Sequence, residues 1–261
     1  MSIFREIKPF NTCVIGASQG IGLGFVKYLL TSHQNNQLSV NHIYATYRQD
    51  DSARELLTLA ATNPEQITCL RMDITDENQI AMGMQCIRNQ VQKLHFAINC
   101  VGILHEENLQ PEKSLRHLNF DNLTRYFQVN SIGGVLLAKH LLPLFKHQDR
   151  SVFATISAKV GSIGDNFLGG WYGYRASKAA LNMLMRNVAI EYARSCPKSI
   201  VVTLHPGTTD TRLSQPFQTN VPPEKLFPVE RTVSQLMAVI QGLKPENSGQ
   251  FFSWDGSNLP W

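Results

Sequence analysis

Tyr174 and Lys178 stand four residues apart in Tyr174-Arg175-Ala176-Ser177-Lys178, a spacing that sets both side chains on one face of a helix. A free tyrosine titrates near pH 10, too high for an efficient proton relay at neutral pH, and a neighbouring cation favours the phenolate. Alone, such a pair is common and carries no weight. A second stretch could receive an anion: Gly16-Ala17-Ser18-Gln19-Gly20-Ile21-Gly22, between a short apolar run and a helical pattern. Glycines there permit a tight turn and let backbone N–H groups approach a pyrophosphate, where the helix dipole favours negative charge. The spacing is G-x-x-x-G-x-G rather than G-x-G-x-x-G, and strand-to-helix turns often need glycine for steric reasons alone.

The same residues also fit G-x-S-x-G, the nucleophile elbow of α/β-hydrolases, with Ser18 as nucleophile. An elbow normally follows several strands, whereas few residues precede Ser18; His205 is available as a base, but no acid partner is evident. A phosphate-binding P-loop is excluded because no Gly-Lys-Ser/Thr follows the glycines. No H-E-x-x-H or Cys/His cluster suggests a metal.

Around these residues runs a regular alternation. Strands are predicted over Asn11–Ile15, His42–Tyr47, Ile67–Met72, Leu94–Asn99, Ser151–Ser157, Ile200–His205 and Gln250–Trp254. Helices are predicted over Ile21–Ser32, Ser52–Ala61, Glu77–Gln92 with Asp76 as its cap, Phe120–Lys146, Tyr174–Arg194 and Thr232–Leu243. Apolar strands alternating with helices of ten residues or more imply βαβ crossovers and a parallel sheet covered on both faces. No composition break marks a second domain. The stretch 206–228, with several prolines, is one long irregular segment, of the kind that serves as a lid or binding loop.

Composition narrows the class further. The 261 residues are 43% apolar and 17% charged, too apolar for disorder and large enough for one substantial core. The longest apolar candidate, Gly133–Phe145, is shorter than a membrane span and is interrupted by Lys139 and His140. The first ten residues, with Arg5, Glu6 and Lys8, hold no apolar core of signal-peptide length. Five scattered cysteines without C-x-x-C spacing point to a reducing, cytoplasmic setting. A net charge of +4 from singly spread basic residues gives no phosphate-backbone footprint, so neither nucleic acid nor membrane is expected as a partner.

The Tyr/Lys pair coincides with four other features: the glycine turn, Asn99-Cys100-Val101-Gly102 after the fourth strand, Asn130 in the long helix, and Pro206-Gly207 after the sixth strand. Together they resemble the short-chain dehydrogenase/reductase family across nearly the whole chain. The stretches Gly169–Tyr174 and Phe252-Ser253-Trp254-Asp255-Gly256 are similar to its C-factor-like and sniffer-like carbonyl reductase branch. The resemblance implies one doubly wound, Rossmann-type α/β domain over 1–261, with seven mostly parallel strands, helices on both faces and a substrate lid around 206–228. It also implies an NADP(H)- or, less favourably, NAD(H)-dependent enzyme that interconverts a small-molecule carbonyl and an alcohol. A homodimer or homotetramer through the two long helices is implied too. The competing class is a C-factor-like signalling or dinucleotide-binding protein with weak or no catalysis.

Residue by residue, the resemblance makes Tyr174 the proton donor, with Lys178 and an oxidised nicotinamide lowering its pKa and Lys178 also touching the nicotinamide ribose. Asn130 would hold a water beside the lysine. Gly16, Ser18, Gln19, Gly20, Ile21 and Gly22 would cradle the pyrophosphate. The second strand ends Tyr47-Arg48 with no acid before Asp50, which favours a 2′-phosphate over a ribose hydroxyl. Asp73 and the adjacent Ile74 would meet the adenine. Asn99, Val101 and Gly102 would support the sheet and approach the adenosine ribose, with Cys100 replacing the usual second Asn. Pro206, Gly207, Thr208 and Thr211 would meet the carboxamide and pyrophosphate. The family pattern I-S-S-x-x-G reads Ile156-Ser157-Ala158-Lys159-Val160-Gly161 here, so an alanine fills the slot of the carbonyl-orienting serine. Ser157 is the expected substitute, with Ser162 as the other candidate.

Overall fold

The computed structural model describes residues 9–261; the first eight, Arg5, Glu6 and Lys8 among them, lie outside the described residues. Among the described residues, seven strands form one sheet: β1 (Phe10–Ile15), β2 (Val40–Tyr47), β3 (Ile67–Arg71), β4 (Phe96–Asn99), β5 (Ser151–Ile156), β6 (Ser199–His205) and, last in sequence, β9 (Phe251–Ser253). Their order is β3-β2-β1-β4-β5-β6-β9 and every pair is parallel. Two further strands, β7 (Thr208–Thr209) and β8 (Leu226–Phe227), pair with each other, so 206–228 is braced by a parallel ladder and short 3₁₀ turns where the sequence suggested irregular chain.

Strand residues alternate between two cores, as a pleat of period two demands when both faces are covered. In β1, Val14 joins a cluster with Phe25, Val26 and Leu29 of helix α1 (Gly20–Gln34), Leu56 of α2 (Arg54–Thr62) and Leu236 and Met237 of α7 (Val229–Gly242). Its neighbours Cys13 and Ile15 face the opposite cluster, built from Ile80 and Ile87 of α3 (Glu77–Gln90), Leu137 and Leu141 of α5 (Gly133–Phe145), and Leu181 and Met185 of α6 (Tyr172–Ser195). The same division separates Val152 and Ala154 from Phe153 in β5. This is the single doubly wound α/β domain expected.

Asp76 caps α3 as expected, accepting from the backbone N–H groups of Asn78 and Gln79. The Gln79 bonds hold its carboxyl below the usual carboxylate range, so its contribution is present at neutral pH and fades as pH falls through that lowered value. Asp76→Ala is therefore expected to lower the melting temperature at pH 7, and the gap to the parent should close in acid melts.

The expected helix over 120–146 is not continuous. It divides into α4 (Phe120–Phe127) and α5 around a π-turn at Gln128–Ile132 that carries Asn130. A π-turn adds one residue to a turn, and such insertions cluster at functional positions.

Candidate active site

Strand order reverses between β1 and β4, and the carboxyl ends of parallel strands open a crevice at such a switch. The turn after β1 is fixed by Thr46 of β2: Gly16 N–H donates to its Oγ1 and Ala17 N–H to its carbonyl. Gly16 has φ +78, and a Cβ there would lie 2.6 Å from Val101 Cγ2 of the turn after β4. A Cβ on Gly22 would lie 2.1 Å from the Gly16 carbonyl oxygen, so the turn closes only with glycine at both places. These are cradle positions that side chains would fill, with Ser18, Gln19, Gly20 and Ile21 between them at the start of α1.

After β4, Asn99 Oδ1 accepts from Val101 N–H, which shapes the turn leading to Gly102. The position of a Gly102 Cβ is 3.2 Å from Lys178 Nζ and 3.5 Å from Asn130 Oδ1, so three of the expected residues converge here. Asn130 is buried; its Oδ1 accepts from Ile103 N–H at 2.8 Å, and its Nδ2 donates to Ile103 O and to Ser177 Oγ. Ser177 Oγ donates in turn to the Tyr174 carbonyl, and Ser131 Oγ to the Ser177 carbonyl. The π-turn and the first turns of α6 are thus stitched together through three short polar side chains, those of Asn130, Ser131 and Ser177.

Lys178 Nζ donates to the Ile156 carbonyl at 3.1 Å and lies 5.8 Å from the centre of the Tyr174 ring. Burial pulls the Lys178 ammonium down to about 8 and pushes the Tyr174 phenol upward, against the phenolate that Lys178 was expected to promote. A protonated phenol suits a donor. Tyr174 packs with Leu104, Leu109 and Tyr126, against which Ala158, Val160, Trp171, Leu213 and Phe217 also rest. Phe217 belongs to 206–228 and meets Trp171 edge-on at 5.1 Å, so that segment covers the Tyr174 pocket.

Ser157 is not part of this group. It is buried, and its Oγ donates to Asn182 Oδ1 at 2.7 Å. Ser162 is buried too, and its Oγ accepts from Asp165 N–H. Ala158 is the residue beside the Tyr174 cluster.

At the outer end of the crevice, Arg48, Gln49, Arg71, Asp73 and Gln79 line a polar recess of about 590 Å³. Arg71, which the sequence reading did not select, donates from Nε to the Arg48 carbonyl. Asp73 spends Oδ1 on the N–H and hydroxyl of Thr75, and Ile74 packs on Gly133. On the other side, Pro206 is buried, and a Cβ at Gly207 would strike the Phe227 ring. Thr208 lies in β7, while the Thr211 methyl faces Gly20. Arg212, also missed, donates to Gln19 Oε1 at 3.4 Å, and its carbonyl meets His105 Nε2. The only sequence signal for Arg71 and Arg212 is their place next to Asp73 and Thr211.

The hydrolase alternative fails on topology. His205 ends β6, three strand spacings or roughly 14 Å from the end of β1, and its Nδ1 accepts from Lys159 N–H.

A doubly wound sheet with a glycine turn, a buried Tyr/Lys pair and a basic recess at its carboxyl edge defines the dinucleotide-dependent oxidoreductase class. The profile of the short chain dehydrogenase family matches residues 11–222, and the chain belongs to that family. It is similar to the NADPH-bound carbonyl reductase from chicken fatty liver, 27% identical with a TM-score of 0.86 over 98% of this chain and 100% of that one. The carbonyl reductase Sniffer of D. melanogaster is 26% identical, with a TM-score of 0.84 over 98% of this chain and 100% of that one. The C-signal of Myxococcus xanthus is 33% identical over 149 residues, 57% of this chain and 84% of that protein. No helix among the described residues is long and apolar enough to cross a membrane.

Proposed function

We propose that this chain is an NADP(H)-dependent carbonyl reductase, with Tyr174 giving its phenolic proton to the oxygen of a small-molecule carbonyl. The observation that carries the reading is the convergence of Gly102, Asn130, Lys178 and Tyr174 at the switch point, under an apolar cover. The dinucleotide, when bound, supplies the hydride. Gly16 to Gly22 would hold its pyrophosphate, Arg48 and Arg71 its 2′-phosphate, Asp73 and Ile74 its adenine, Asn99 its ribose, and Pro206, Gly207, Thr208 and Thr211 its nicotinamide side. Lys178, fixed by the Ile156 carbonyl, would hold the nicotinamide ribose. Asn130 would tie the turn after β4 to α6 so that the tyrosine and lysine keep their spacing. In this reading Ser157 is a packing hydroxyl, and the carbonyl oxygen is held by Tyr174. The domain is one unit over 1–261 with 206–228 as its lid, and Ile132, Met183 and Ile190, exposed on the long helices, would be covered by a second copy.

NADPH should bind at least tenfold more tightly than NADH, about 1.4 kcal/mol. Fluorescence titration of the parent and of Arg48→Asp checks this: the substitution should narrow or reverse the ratio, and equal affinity of the parent for both dinucleotides would refute it. A signalling role without turnover is favoured by one observation, Ala158 in the serine slot. Failure of every carbonyl to be reduced with NADPH would select that role.

A further inference from the structure

Helix α6 starts without a cap of its own. The residue before it, Trp171, has φ +51, and Gly169 and Gly170 ahead of it both have φ +66. A left-handed backbone is ordinary for the glycines and strained for a tryptophan, and it persists only where the surroundings over-determine it. An indole cannot accept a hydrogen bond from the exposed N–H groups of the first turn, and Trp171 supplies none.

Both tasks fall to Glu112, far upstream between β4 and α4. Its carbonyl accepts from Trp171 N–H at 2.5 Å, and its carboxylate Oε2 accepts from Gly173 N–H at 3.1 Å. One residue therefore grips the chain on either side of Tyr172, immediately before Tyr174. Glu112 is 1% exposed, and its Oε1 has no hydrogen-bond partner among the described residues. Burying a carboxyl with an unsatisfied oxygen is costly, so its place there calls for a compensating role. An acidic group at a helix N-terminus is favourable, which offsets part of that cost.

The packing leaves no slack. A Cβ on Gly173 would lie 2.9 Å from Glu112 Oε1 and 2.3 Å from Tyr126 Cδ2. Tyr126 is itself anchored, donating its hydroxyl to the Leu104 carbonyl at 2.7 Å. The Tyr174 ring meets Tyr126 at 6.3 Å and Trp171 at 6.2 Å, both edge-on. Of the two rings that bracket Tyr174, Trp171 is held by Glu112 and Tyr126 by Leu104.

We infer that Glu112 is a positioning residue: it holds the Trp171 turn and the first turn of α6 so that the Tyr174 hydroxyl stays where a carbonyl oxygen can take its proton. This rests on the proposed reduction. The test compares the parent with Glu112→Gln, Glu112→Asp and Glu112→Ala in kcat, KM, NADPH binding by fluorescence and backbone amide exchange over residues 171–175. Glu112→Ala should exchange faster there and lose at least tenfold in kcat, part of the roughly 10²-fold that an ångström of misplacement can cost. KM and NADPH affinity should hold. Glu112→Asp, one methylene too short for Gly173, should behave like Ala and stands in for it if Ala fails to fold. Glu112→Gln keeps an oxygen for Gly173 N–H and should recover most of kcat and of the protection. Faster exchange with unchanged kcat in the Ala or Asp variant, or no recovery by Gln, would overturn the inference. A parent that reduces no carbonyl defeats the proposed reaction instead, and unchanged exchange in Glu112→Ala and Glu112→Asp defeats the clamp independently.

Discussion

Tyr174→Phe is expected to lower carbonyl reduction by about 10³-fold, within the usual range for losing a positioned general acid. The hydroxyl makes no hydrogen bond to the protein among the described residues, so removing it breaks no internal contact. The ring packing on Tyr126, Trp171 and Leu104 is kept by phenylalanine. Melting temperature and NADPH affinity should therefore stay at the parent's values while kcat collapses. Steady-state kinetics beside a thermal melt and a binding titration measure all three. Full turnover in Tyr174→Phe would remove the tyrosine from the mechanism.

The second large effect runs the other way. Ala158→Ser should raise kcat by roughly 10²-fold, the size of effect associated with one well-placed donor to a developing oxyanion. Ala158 already rests against the Tyr174 cluster, so a hydroxyl there is delivered to the pocket with little added bulk. Ser157→Ala is the companion variant. It would leave Asn182 Oδ1 without its buried donor, costing about 1–3 kcal/mol of stability with little change in kcat. A collapse of kcat in Ser157→Ala with an inert Ala158→Ser would return the serine role to Ser157.

The alternation of apolar strands and helices was readable because the inner strands are buried on both faces, which leaves short apolar runs such as Cys13-Val14-Ile15 that periodicity can find. Asp76 was readable for a local reason, since a cap acts within three residues of itself. The Tyr174/Lys178 pair and the glycine turn were readable as types and spacings. What remained hidden is what depends on distant chain. Glu112 and Gly173 are 61 residues apart, and nothing around Glu112 marks it. Arg71 looked like any strand-end charge until β3 was set beside β2. Ser157 was chosen on adjacency to the empty slot, but consecutive residues leaving a strand point to opposite sides, and it faces Asn182. The ladder in 206–228 joins Thr208 to Leu226 through two-residue strands, too short to leave a pattern.

The π-turn at Gln128–Ile132 also reconciles two demands on one helix. A turn closed by i→i+5 bonds takes up its surplus residue within itself, so the segments on either side keep the phase of one continuous α-helix. Leu137, Leu141 and Leu144 therefore stay aimed at the sheet, while the widened turn carries Asn130 to Ile103 and Ser177. Excising a single residue there would restore an unbroken α-helix and leave the aliphatic stripe in place. What would be lost is the local bulge, and with it the place from which Asn130 and Ser131 reach the turn after β4 and α6.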